Sequence, residues 1–158
     1  MTGGGPLRIL IVEDEILIAL ELESLLQDEG HDVVGLAATC DEAVEMGESL
    51  DPNIAFVDIH LADGPTGVEA ARKLAARGDV TVLFMTANAK RIPDDFAGAF
   101  GVISKPYTER GVRQALAYVI ALRQGRPGVE PPDSLSLAPA LRRRHWPERV
   151  CERHDRVS

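Results

Sequence analysis

The sequence is short of cysteine, of aromatic side chains and of basic charge, and it contains no long apolar run. Its two cysteines, Cys40 and Cys151, stand far apart without metal-ligand spacing. Free thiols are therefore expected rather than a disulfide framework or a thiolate metal site. Aromatic residues make up 4% of the chain against 45% hydrophobic residues overall. A core mostly of Leu, Val, Ile and Ala suits a parallel sheet wrapped by helices better than an aromatic-rich sandwich. No stretch approaches the roughly 20 apolar residues of a membrane-spanning helix. The opening Met-Thr-Gly-Gly-Gly-Pro has neither the charged start nor the apolar centre of a secretory signal. A soluble, cytoplasmic protein with no membrane partner is expected.

The scarcity of basic charge is uneven. The formal net charge is −8, composed of −10 through Arg123 and +2 beyond it. An acidic body argues against a nucleic-acid partner, because phosphate backbones call for a basic surface. Arg142, Arg143 and Arg144 form a short basic run, for which a solvated tail is the plainer reading and an anionic contact the sharper one. The 158 residues suffice for one sizeable core and are few for two ordinary domains.

What is present is a repeated strand–helix rhythm. Residues 8–12 are a short aliphatic, β-branched run, followed at once by Glu13, Asp14 and Glu15. Leucines and isoleucines then recur near helical spacing and stop at Gly30, a natural helix end. A second strand is expected over 32–37 and a second helix over 41–49, which Asp51-Pro52 ends. A third strand over 53–57 leads into Asp58, and a Gly/Pro-rich loop over 62–67 precedes a helix over 68–76. A fourth strand over 80–85 ends at Thr86. A weakly patterned segment containing Pro93 follows, then a fifth strand over 101–104, Lys105-Pro106, and a last helix over 108–123. Five strands alternating with helices predict an α/β fold, a doubly wound five-stranded parallel sheet with helices on both faces. Right-handed crossovers favour the flavodoxin-like order 2-1-3-4-5. Residues 1–6 read as a flexible N-terminus, 7–123 as the domain, and 124–158, rich in Pro and Arg, as linker and tail.

The residues at the strand ends carry the chemistry. Ligands of such sheets bind beyond the C-terminal strand ends, where strand order reverses. Strands 1 and 3 meet there, bringing Glu13, Asp14 and Asp58 into one crevice. Three close carboxylates are costly unless a cation neutralises them, and Mg²⁺ suits an all-oxygen site that must also bridge a phosphoryl oxygen. Thr86 and Lys105, ending strands 4 and 5, supply a hydroxyl and an ammonium for the other phosphoryl oxygens. Asp58 is then the nucleophile that forms an acyl phosphate. A cis Lys105-Pro106 bond would aim the lysine inward, although most X–Pro bonds are trans. Each residue also has a plainer reading. Glu13 and Asp14 suit a helix start, Asp58 a turn, and Thr86 a helix cap. Jointly, four of five strands end in a residue type that one reaction needs, and that favours the site.

The stretches ILIVEDE, IAFVDIHL, VLFMTAN and VISKPY together resemble the receiver domains of two-component response regulators, over about residues 7–123. The resemblance implies that Asp58 accepts phosphate from a sensor histidine kinase or histidine phosphotransferase. It implies that Glu13, Asp14, Asp58 and the backbone carbonyl of His60 surround Mg²⁺, and that Thr86 and Lys105 contact the phosphoryl group. Such a protein is a phospho-acceptor, acting catalytically only on its own phosphorylation and dephosphorylation. Its output would be a partner surface, a homodimer, or phosphate removal from a shared kinase. In the family, the face built by the helix between strands 4 and 5, strand 5 and the last helix usually relays the signal.

Several positions depart from the family pattern. Ala62 replaces the usual proline four residues after the acceptor, and the loop DIHLADGPTG is one residue longer than the common form. This loop is similar to that of alphaproteobacterial general-stress receivers and related single-domain regulators. The interval from Thr86 to Lys105 is short, so the helix usual there is expected to be stunted or distorted. Val102 stands where an aromatic usually swings on activation. His60 and Asn88 occupy positions that tune acyl-phosphate hydrolysis in the family, with an ordinary surface loop as the alternative for His60. Tyr107, next to Lys-Pro, suits packing. The competing function is a haloacid-dehalogenase-type phosphatase, which usually has a second Asp two residues after the nucleophile. Here that residue is His60. A flavin or nucleotide binder is disfavoured because Gly3-Gly4-Gly5 precedes strand 1 and does not follow it.

Overall fold

The computed structural model describes residues 6–141. The basic run at 142–144 and Cys151 lie outside the described residues, as does most of the expected N-terminal segment. Among the described residues six strands and four α-helices follow one another: β1 (Arg8–Val12), α1 (Ile16–Asp28), β2 (Asp32–Ala37), α2 (Cys40–Leu50), β3 (Ile54–Asp58), α3 (Gly67–Ala75), β4 (Thr81–Thr86), β5 (Gly101–Ser104), α4 (Glu109–Arg123) and β6 (Leu135–Leu137). The sheet order is β2-β1-β3-β4-β5-β6. The first five strands are parallel and follow the expected order, and β6 runs antiparallel to β5.

Period-two alternation explains why helices cover both faces. Leu10, Val12, Ala55, Val57, Val82 and Phe84 point into one core with α2 and α3. Ile9, Ile11, Ile54, Phe56, Leu83 and Met85, their neighbours along the strands, point into the opposite core with α1 and α4. Because both faces are buried, the central strands read as unbroken apolar runs. Two helices carry hydroxyl caps. Thr39 Oγ1 accepts from Glu42 N at 3.1 Å, and Thr108 Oγ1 accepts from Gly111 N at 2.9 Å.

Two features amend the expected plan. The sheet has six strands, not five, and the sixth comes from the segment read as linker and tail. Leu135 and Leu137 alternate inward around exposed Ser136, a strand pattern too short to stand out among the prolines of that region. Between β4 and β5 the chain forms two 3-10 turns, Ala89–Arg91 and Phe96–Gly98, in place of a helix. The expected stunting is thus complete. Pro93 and the Asp94-Asp95 pair sit between the turns, Phe96 and Ala97 adopt left-handed backbone, and Asp95 Oδ1 accepts from Ala97 N at 2.9 Å.

Candidate phosphoryl-acceptor site

The parallel strands deliver their ends to one edge of the sheet. Glu13 follows β1, with its N–H bonded to Ala37 O at 2.8 Å. Asp58 ends β3 beside β1. Thr86 ends β4, and Lys105 follows β5, its N–H bonded to Thr86 O at 2.8 Å. The Lys105–Pro106 bond is cis. One carboxylate oxygen from each of Glu13, Asp14 and Asp58 lies within 4.8 Å of the other two. Lys105 Nζ donates to Asp58 Oδ2 at 3.0 Å and to Glu13 Oε1 at 3.1 Å. The second Glu13 oxygen accepts from Glu15 N at 3.1 Å.

Burial sets the electrostatics. Glu13 is 8% exposed, and that burial raises its pKa, with repulsion from Asp58 adding to the rise. The Glu15 N–H and the Lys105 ammonium oppose it without cancelling it. Burial also pulls the Lys105 pKa down, but its hydrogen bonds and attraction to Asp58 and Glu13 outweigh that loss. The net shift is upward, so the lysine is held charged. Asp14 is exposed, which leaves one carboxylate of the three open to water. Crowded hard oxygens with one open side fit a small divalent cation that keeps part of its hydration shell.

Thr86 is 4% exposed. Its Oγ1 accepts from Asn88 N at 3.0 Å and reaches Asn88 O only at 3.5 Å. The hydroxyl proton is therefore weakly engaged and available to another acceptor. Asn88 uses its side chain locally, accepting from Lys90 N at 3.1 Å. His60 is exposed two residues beyond Asp58, on the far side of buried Ile59. Val102 is buried in the sheet. Tyr107 lines a cleft of about 350 Å³ with Ile18, Glu21, Ala87, Lys105 and Pro106, and burial raises its pKa.

Two residues that shape the site went unnoticed in the sequence. At Gly67, a Cβ would lie 1.9 Å from Asp58 O and 2.6 Å from Ile59 Cα. The first residue of α3 is thus pressed onto the Asp58–Ile59 peptide group, and its N–H bonds Ile59 O at 2.8 Å. Asp63, in the lengthened loop, accepts from Thr66 Oγ1 at 2.6 Å and from Cys40 N at 3.2 Å. Ala62 N bonds Ala38 O at 2.9 Å. The loop lacking the usual proline is therefore tied to the start of α2. In the sequence Gly67 read only as the end of the Gly/Pro-rich loop, which gave no sign of its contact with Asp58.

The parallel sheet with acidic strand ends is the architecture of a receiver-type signalling domain. The model of the response regulator receiver domain matches residues 9–117, and the chain belongs to that family. The Phyllosphere-induced regulator PhyR of Methylorubrum extorquens is 37% identical over 119 residues, covering 74% of this chain and 45% of that protein. The transcriptional regulatory protein PdtaR of Mycobacterium tuberculosis is 33% identical over 106 residues, 65% of this chain and 51% of its own. The chain thus spans about half the length of these curated relatives. Among solved structures, the receiver domain of Erythrobacter litoralis PhyR superposes with a TM-score of 0.67 at 34% identity, over 80% of this chain and 98% of that one. A CheY-like receiver from Methanospirillum hungatei reaches 0.70 at 28% identity, over 77% and 98% of the two chains. The chain's role lies in phosphorelay signal transduction, and the phosphatase alternative finds no support in these likenesses. No helix among the described residues is long and apolar enough to cross a membrane.

Proposed function

We propose that Asp58 accepts a phosphoryl group from a phosphohistidine of a sensor kinase or histidine phosphotransferase. An Asp58 carboxylate oxygen forms the new P–O bond as the P–N bond breaks and the imidazole leaves. The observation that carries this reading is the bridging of Asp58 and Glu13 by Lys105 Nζ, at 3.0 and 3.1 Å, inside a three-carboxylate cluster. Glu13, Asp14, Asp58 and the His60 carbonyl would hold Mg²⁺, which supplies charge neutralisation at the phosphoryl oxygens. The Lys105 ammonium neutralises another oxygen, and the weakly engaged Thr86 hydroxyl donates to a third. His60 and Asn88, two residues beyond Asp58 and Thr86, would govern the approach of water.

Beside the site, α1 leaves Ile16, Leu17 and Leu20 exposed at 58%, 74% and 44%. Three neighbouring apolar side chains suit the apolar flank of a histidine-bearing helix brought to Asp58. The output reading is a protein contact, or removal of phosphate from a shared kinase. Intact-mass measurement after incubation with acetyl phosphate and Mg²⁺ tests the acceptor. The wild type gains one phosphoryl group, while Asp58→Asn and chelated wild type gain none. An unchanged adduct on Asp58→Asn would overturn the assignment.

A further inference from the structure

From the bonds that hold the lengthened loop after the acceptor, we propose that Asp63 is a positioning residue. It fixes the backbone around Asp58 and His60 for the metal ion and the phosphoryl group. This role rests on the reading of Asp58 as the acceptor. The loop runs from Ile59 to Thr66, between β3 and α3. Its inner end is held by packing: Ile59 and Leu61 are 1% and 5% exposed, and both belong to the core shared with α2 and α3. His60 lies between them and presents the backbone carbonyl assigned to the metal. The outer end, residues 62–66, has no buried residue, so its place is set by hydrogen bonds.

The Asp63 carboxylate ties that outer end to two helices. Its Oδ2 accepts from Cys40 N at 3.2 Å, and Cys40 is the first residue of α2. Its Oδ1 accepts from Thr66 Oγ1 at 2.6 Å. Thr66 stands at the cap position of α3, where a threonine hydroxyl ordinarily accepts from the helix's own N–H groups. Here it makes no such bond and turns to Asp63 instead. Ala62 N adds a backbone bond to Ala38 O at 2.9 Å, which a proline at that position could not make. Two ties to the start of α2 thus take the place of a proline's stiffness.

The route from Asp63 to the acceptor is one hydrogen bond and one peptide unit. Thr66 is followed by Gly67, whose backbone lies so close to the Asp58–Ile59 peptide that a Cβ would meet it, and Gly67 N donates to Ile59 O at 2.8 Å. A shift of Thr66 is therefore passed to that peptide, because Gly67 has no clearance against it. Within the loop, Leu61 and Gly64 exchange backbone bonds at 2.8 and 3.0 Å, with Gly64 at a φ of +119°. The segment moves as a unit. Asp63 is exposed, so its loss leaves the core intact and changes geometry alone. An asparagine can keep both contacts, its Oδ1 accepting from Cys40 N and its Nδ2 donating to the Thr66 hydroxyl, which accepts as readily as it donates. An alanine keeps neither.

The test compares Asp63→Ala, Asp63→Asn and Thr66→Val with wild type, all in the full chain. Three quantities are read: the amide NMR shifts of Ile59, His60 and Gly67 without metal, the Mg²⁺ affinity by titration, and the rate of acetyl-phosphate labelling at saturating Mg²⁺. Asp63→Ala and Thr66→Val should move the three amide signals, weaken Mg²⁺ binding and slow labelling about tenfold. That is less than the roughly 100-fold of a full ångström's misplacement, because the Ala62 tie remains. Asp63→Asn should stay close to wild type in all three. An alanine variant that is merely less stable to denaturant, with wild-type metal affinity and labelling rate, overturns the proposal. So does an asparagine variant as slow as alanine, since charge and not geometry would then be at work. A Thr66→Val rate equal to wild type beside a slow Asp63→Ala removes the route through Thr66 and overturns it too. A wild type that takes up no phosphoryl group refutes the Asp58 reading instead, and the amide shifts and Mg²⁺ affinity, which need no transfer, still decide the role of Asp63.

Discussion

Lys105 meets two carboxylates at once, and that contact determines what its removal does. In Lys105→Met, Glu13 and Asp58 lose their shared cation and repel each other across a part-buried pocket. We expect a stability loss without Mg²⁺ that is smaller than the roughly 3–5 kcal/mol of a fully buried broken pair, since Lys105 retains 18% side-chain exposure. The same variant should bind Mg²⁺ more tightly, because the ammonium no longer competes for those oxygens, yet phosphorylate more slowly. Metal titration followed by denaturation with and without Mg²⁺ checks both directions. Gly67→Ala places a methyl 1.9 Å from Asp58 O. If Asp58 carries the phosphoryl group as proposed, moving its peptide by about an ångström should slow phosphorylation on the order of 100-fold, as timed by acetyl-phosphate labelling. Asp58, Thr86, Lys105 and the acidic pair were legible in the sequence because each sits at a strand end, a position that the strand pattern itself locates. Gly67 and Asp63 act through backbone contacts across a loop, and no periodicity points to those.

At the scale of elements, the β5–α4 connection carries Lys105, cis Pro106 and the Thr108 cap within four residues. Thr108→Ala removes the acceptor for Gly111 N at 2.9 Å and should cost about 1 kcal/mol, with Thr108→Ser close to wild type. Chemical denaturation of the two variants checks this. The five parallel strands were readable because each is an apolar run stopped by a turn residue. The segment between β4 and β5 could be read only for length. Its two 3-10 turns and the left-handed Phe96 and Ala97 depend on local bonds from Asn88 and Asp95. β6 escaped notice because Leu-Ser-Leu gains strand character only when Gly101 lets its backbone approach.

For the whole molecule, the residue before β1 is joined to the turn before β2 by a histidine. His31 Nδ1 accepts from Leu7 N at 3.0 Å, which only an unprotonated nitrogen can do. Burial lowers the His31 pKa against the upward pull of Glu29 and Asp32. Below the unfolded value of 6.5, the unfolded chain therefore binds more protons than the folded one. The stabilisation is complete above that pH and is lost as pH falls through the lowered folded value. His31→Gln, which keeps an acceptor that does not titrate, should flatten this part of the profile in denaturation runs at about pH 7.5 and about pH 5.5. Fold and site converge on one atom-level claim, that the phosphoryl group is carried by Asp58. Reductive trapping tests it most directly. Borohydride converts an aspartyl phosphate to homoserine, and peptide mass spectrometry then locates the residue. After a small-molecule phosphodonor and Mg²⁺, homoserine is expected at position 58 and nowhere else. A phosphorylated chain that yields homoserine at Asp14 or another acid, with position 58 still aspartate, would contradict the account.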